Sequence, residues 1–218
     1  MNEATVDIAV DNDLVLKAVA YGLAASLWPP DTRLGLLGAA RYVIPTWLRR
    51  LPLARDAAQV EAEFDALLAA AEELEPDAAE IRLAAEIEAA AQEAGLPLDG
   101  GESQLSAMVM ERAISWLETG DKRAIRSLES LRRRADSIER LDGKVRCLEQ
   151  VVQAALVDEK FFPIISAAVC AEPAVDKALS YCFSCTQPSP VTVERVREGL
   201  ESYISSLRAE APNVLGAA

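Results

Sequence analysis

The chain has 218 residues, with 22 Lys and Arg against 35 Asp and Glu, a formal charge of −13 and no histidine. That balance argues against a general nucleic-acid coat and against binding to anionic membranes, and the missing imidazole removes Ser-His-Asp and Cys-His nucleophiles and imidazole metal sites. Any catalyst must use carboxylates, Lys, Tyr, Ser or Cys, and a carboxylate site favours hard cations.

The opening residues MNEATVDIAVDND are acidic with a short apolar run, which is not the pattern of a signal peptide. Residues 5–10 alternate β-branched and other residues and stop at Asp11-Asn12-Asp13, so they read as a short buried strand with an acidic turn. Leu14, Leu16, Val19, Leu23 and Leu27 continue as one helix, ended by Trp28-Pro29-Pro30. LGLLG at 34–38 is a candidate second strand, and the following AARYVIPTWLRRL reads as a helix with Pro45 at a kink or boundary.

Residues 56–94 are alanine-rich and hold twelve acids against Arg82 alone. They predict two helices of an antiparallel pair divided by Pro76, with an acidic, solvated surface. A loop at 96–101 ends in two glycines. Glu102-Ser103 then opens a helix with Leu105, Met108 and Val109 on its apolar stripe. Trp116-Leu117 approaches Thr119-Gly120-Asp121 as a short strand. Residues 122–146 reverse the charge, with nine cations against four acids.

The remainder reads as helical: VRCLEQVVQAAL, FFPIISAAVC and AVDKALSYCFSC, then a linker-like break at 187–190. A final helix runs from Thr192, its cap, to Leu207, and the tail APNVLGAA is expected to fray. Cys147, Cys170, Cys182 and Cys185 are expected as reduced, buried thiols. Zinc at the single C-x-x-C would need Cys147 and Cys170 or carboxylates as further ligands, and their spacing is irregular, so buried thiols are the expected reading. No apolar run reaches about 18 residues, so no membrane helix is expected and the default location is the cytoplasm. Trp28, Trp47 and Trp116 are expected in the core.

Three acids share one design. Asp11 and Asp121 each end a short apolar strand, and Glu102 sits in a helix's first turn after a glycine-rich loop. In a parallel α/β sheet, ligand sites gather at the carboxyl ends of the strands. Asp11 and Asp121 would meet there if their strands are neighbours. Converging carboxylates repel, and a divalent cation relieves that repulsion while holding phosphate oxygens. Lys122, Arg123 and Arg126 would then receive a phosphate backbone. The plainer reading of each acid is a helix cap, and of each cation a surface charge.

The stretch IAVDNDLVLKA resembles the opening strand and D-x-[NS] start of PIN-domain nucleases. LDGGESQLSAMVMERAISWLETGDKRAIRSL is similar to that family's central block, in which G-E is followed after one helix by a strand and T-x-D. The resemblance covers about residues 5–30 and 98–130. It implies a helix-rich α/β/α fold around a short parallel sheet, with metal-dependent single-strand nuclease chemistry, usually on RNA. It also implies Mg²⁺ or Mn²⁺ as cofactor, and a toxin or defence role with an inhibitory partner protein. A homodimer is admitted.

Carried over by position, Asp11, Glu102 and Asp121 match the acidic triad. Asp13 falls where the family has Asn or Ser, and Asp99 is an extra acidic neighbour. The family's fourth acid has three candidates, Glu139, Asp142 and Glu149. The expected organisation is a PIN-like domain over 1–150, with residues 56–94 as an insertion, and a helical extension over 151–218 packed on it. The alternative is a PIN-like interaction module that has lost turnover.

Overall fold

The computed structural model describes residues 6–187 and 190–217, so Thr5 of the first predicted strand and Pro188-Ser189 of the predicted break lie outside the described residues. Five parallel strands form one sheet in the order β3-β2-β1-β4-β5. They are β1 (Ile8–Val10), β2 (Leu34–Leu37), β3 (Glu72–Leu74), β4 (Trp116–Thr119) and β5 (Val145–Cys147). The helices are α1 (Asn12–Tyr21), α2 (Ala24–Leu27), α3 (Ala40–Leu48), α4 (Ala57–Ala70), α5 (Ala78–Ala94), α6 (Gly100–Glu111) and α7 (Lys122–Leu131), then α8 (Leu148–Ala155), α9 (Phe162–Ala171), α10 (Lys177–Cys182) and α11 (Val193–Glu210). The chain is thus α/β with an all-parallel sheet, as expected.

Alternation along the strands divides the core in two. Ile8, Val10, Leu34 and Leu36 face a layer holding Leu14, Val19, Ile44, Phe64, Val152, Val169 and Leu200. Ala9, Leu37, Leu117 and Val145 face the other, with Ile87, Leu105, Met108, Ile125 and Leu207. The helices from α8 onward enter these same layers: α8, α9 and α10 pack on the first, and α11 passes from the first to the second.

Four local expectations are corrected. The helix after β1 stops at Gly22, whose φ of 73° is left-handed and whose N–H bonds back to the carbonyl of Val19. α2 follows as a separate turn. Residues 56–94 are not a helical pair: β3 intervenes, and α4 and α5 serve opposite faces of the sheet. Val145-Arg146-Cys147 is a strand, not the start of a helix. The tail over its described residues, 211–217, is not frayed. Val145 N–H donates to the Val214 carbonyl at 3.0 Å, Gly216 N–H donates to Val145 at 2.7 Å, and Ala211, Val214 and Leu215 are buried.

The thiols also differ from expectation. Cys170 and Cys185 form a disulfide, while Cys147 and Cys182 are free and buried. The premise of reduced thiols behind the expected cytoplasmic location therefore fails for that pair. No helix among the described residues is long and apolar enough to cross a membrane.

Candidate functional site

The chain runs outward from β1 to β2 and β3, then returns across β1 to place β4 on its other side. The carboxyl ends of β1 and β4 therefore flank the point where connections diverge, and loops leave a crevice there. Asp11 follows β1 and Asp121 follows β4. The two strands are in register through Val10 and Glu118, and Asp11 N–H donates to the Glu118 carbonyl at 2.9 Å.

A cavity of about 560 Å³ opens at this crevice, lined by Asp11, Asp13, Asp99, Glu102, Asp121 and Arg123, with Asn12, Gln104 and an apolar wall from α3. All five acids expected at the site face this one cavity. Three of them also cap helices whose N-termini meet at it: Asp11 caps α1, Asp99 caps α6 and Asp121 caps α7. Capping and site membership are thus compatible. An N-cap at a strand's carboxyl end is carried to the sheet edge by the strand and aimed at the crevice by the helix. Each helix end also directs partial positive charge inward, which offsets part of the carboxylate repulsion.

Asp11 is buried. Its Oδ2 accepts the Thr119 hydroxyl at 3.2 Å and the Asp13 N–H at 3.3 Å. Burial, then the charge of Asp13, pushes its pKa up to about 6. Glu102 is 8% exposed. Its Oε2 accepts the Asp99 N–H at 3.0 Å, while Asp99 Oδ1 accepts the Glu102 N–H at 2.9 Å, a reciprocal capping box. Burial, reinforced by the charges of Asp99, Asp11 and Asp121, raises its pKa to about 8. Asp121 behaves oppositely. Burial would raise its pKa, but the Arg123 guanidinium and N–H, the latter donating at 2.7 Å, hold it below the usual range.

Lys17 and Gly120 secure the rim. Lys17 Nζ bridges Asp13 at 2.8 Å and Asp176, the N-cap of α10, at 3.0 Å. A Cβ on Gly120 would stand 2.2 Å from Asp13 Oδ2, so any side chain there would make the end of Asp13 shift. Lys17 is not singled out by the sequence, because an i,i+4 Asp-Lys pair is too common a signal.

The three expected phosphate cations part company. Arg123 lines the cavity. Lys122 turns to the buried carboxylate of Glu149, and Arg126 pairs with Glu210. None of the fourth-acid candidates lines the cavity: Glu139 and Asp142 approach Arg132, and Glu149, although it follows β5, is taken by Lys122. The tryptophans also divide. Trp28 is buried, Trp116 lies half-buried beneath Arg146 at 3.4 Å, and Trp47 is 38% exposed on the cavity wall, contrary to the expected core role.

The donor set is all carboxylate oxygen, which in kind fits a hard divalent cation such as Mg²⁺ or Mn²⁺. Its arrangement is open: among the described residues no three acids stand together as a ready-made coordination shell. Asp121 would exchange Arg123 for the cation, and Glu102 would share its carboxylate with the cap. The chain matches no protein-family model, no curated protein and no solved structure.

Proposed function

We propose that the chain is a metal-dependent endoribonuclease hydrolysing phosphodiester bonds of single-stranded RNA, on a PIN-like version of its α/β plan. The observation that carries this reading is the cavity at the sheet's switch point. Carboxylates from three distant stretches, Asp11, Glu102 and Asp121, line it, and two of them have raised pKa values. A toxin or defence setting, with an inhibitory partner protein, rests on the resemblance alone.

Mg²⁺ or Mn²⁺, when bound, would supply charge neutralisation and Lewis acidity for phosphorus–oxygen cleavage. Asp11, Glu102 and Asp121 would hold it, with Asp13 and Asp99 adding negative charge beside them. The Thr119 hydroxyl orients the Asp11 carboxylate. Arg123, whose side chain is 72% exposed, is free to leave Asp121 for a phosphate oxygen. The N-termini of α1, α6 and α7 favour the same anion.

One observation favours a second reading, a PIN-like interaction module without turnover: Arg123 forks onto both oxygens of Asp121, with Nε at 3.1 Å from Oδ1 and Nη2 at 2.6 Å from Oδ2. One experiment separates the two. Purified protein and its Asp121→Asn variant are incubated with single-stranded RNA, single-stranded DNA and duplexes, with Mg²⁺, Mn²⁺ or chelator. The nuclease reading expects cation-dependent RNA cleavage that the variant and the chelator abolish. Wild-type protein that leaves RNA intact with either cation, or an equally active variant, overturns it.

A further inference from the structure

Trp28 and Trp116 are both engaged. The Trp28 indole N–H donates to Glu118 at 2.8 Å, and Trp116 lies under a guanidinium. Trp47 belongs to neither core layer. It stands on α3 in line with Ala39 and Val43, at i, i+4 and i+8, and these three make the apolar wall of the acidic cavity. The neighbouring face, Ala40, Ile44 and Leu48, is buried and anchors the helix, so the wall is rigidly held. More than a third of the Trp47 surface is left open, beside five carboxylates that offer an indole no apolar partner.

We infer that Trp47 is a stacking platform for an unpaired nucleobase next to the cleaved phosphate, with Ala39 and Val43 as the flat surface beside it. This rests on the nuclease reading and adds to it a reason for single-strand selectivity. The cavity has one apolar, aromatic wall and one ionic wall, and a nucleotide has the same two-sidedness. Its base would lie against Trp47, and its phosphate would reach the side of Arg123 and the helix N-termini. The volume of about 560 Å³ lies within the range of small-ligand sites. A base-paired nucleotide has both faces covered by its neighbours and its edge paired, so a duplex cannot offer this surface. A cationic peptide would also be drawn to an indole among acids. The oligolysine arm of the test distinguishes it.

The test measures binding of wild-type, Trp47→Ala and Trp47→Phe proteins to a short single-stranded RNA, with Ca²⁺ replacing Mg²⁺. The comparison ligands are the same RNA carrying abasic residues, the duplex, and oligolysine. Loss of one stacked base weakens binding roughly 5- to 150-fold. Trp47→Ala should lose that much, Trp47→Phe much less, and wild-type protein should bind abasic RNA as weakly as Trp47→Ala binds normal RNA. The abasic arm uses wild-type protein and stays decisive if Trp47→Ala misfolds. Equal wild-type affinity for abasic and normal RNA overturns the platform while leaving the nuclease reading intact. Binding of oligolysine and no RNA overturns both.

Discussion

The same four-residue cap, Asp-x-x-Glu, opens two successive helices and comes to opposite ends. Asp77-Ala-Ala-Glu80 starts α5 and Asp99-Gly-Gly-Glu102 starts α6, each a reciprocal capping box with its glutamate buried. Glu80 receives Arg112, whose Nε and Nη2 each donate at 2.7 Å, and its pKa is lowered, with Arg112 the largest cause. Glu102 is buried without such a partner, and that burial, reinforced by the charges of Asp99, Asp11 and Asp121, raises its pKa to about 8. A local motif therefore sets where a carboxylate stands. The elements packed around it decide whether that carboxylate is a finished structural part or a charge still needing a partner.

The comparison breaks most sharply at activity. Glu102→Gln should reduce RNA cleavage by about 100-fold or more, since even outer partners of a metal site cost 10- to 100-fold. Glu80→Gln should leave cleavage per folded molecule unchanged. Equal losses in an assay normalised to folded protein would erase the distinction between the two caps.

Next in size is the stability of the finished pair. Arg112→Ala strips a buried carboxylate of its cation and should cost about 2–3 kcal/mol in urea unfolding, below the full range because Arg112 is partly solvated. A cost under about 0.5 kcal/mol would mean that Arg112 does not stabilise Glu80.

The two glutamates should also give opposite pH slopes. For Glu102 the folded pKa, about 8, exceeds the ordinary glutamate value of 4.5. The folded state then binds more protons than the unfolded one between those values. Its favourable contribution is complete below 4.5 and is lost as pH rises through 8. Asp11 adds the same sign between 3.8 and about 6. Glu80 has a lowered folded pKa, so its contribution is present above 4.5 and disappears as acid titrates the folded carboxylate. In chelator, melting temperature should fall from about pH 5 to about pH 8, and Glu102→Gln should flatten the upper part of that fall. A wild-type profile that rises over this interval contradicts the assignment.

Gly120→Ala should be the mildest. Its clash is with the end of the Asp13 side chain, so thermal unfolding should show a loss below about 1 kcal/mol. A loss above about 2 kcal/mol would show that Lys17 holds Asp13 too firmly to yield.

The central strands were readable because β1, β2 and β4 are apolar runs closed by turn residues. The edge strands were not. Glu72-Glu73-Leu74 and Val145-Arg146-Cys147 are three residues long and carry charge, and the first lies in alanine-rich helical text. Arg146 looked like part of a cationic segment. In the sheet it sits opposite Glu118 across β4, so its identity reflects a partner 28 positions away. The acids of the cavity were legible because each follows a strand or opens a helix. The diversion of Lys122 to Glu149 and of Arg126 to Glu210, and the pairing of Cys170 with Cys185, depend on packing that no local pattern encodes.

The docked tail has a consequence for how copies of this chain meet. An uncovered outer strand offers bare amides and carbonyls to any neighbour. Residues 213–216 lie along β5, and Glu129 accepts the Asn213 and Val214 N–H groups at 3.0 Å each, so that flank is sealed from within. The far flank, β3, carries two exposed glutamates, of which Glu73 pairs with Arg41. The β5 border is thus closed by the chain's own backbone, and strand addition by a second copy is blocked on that side.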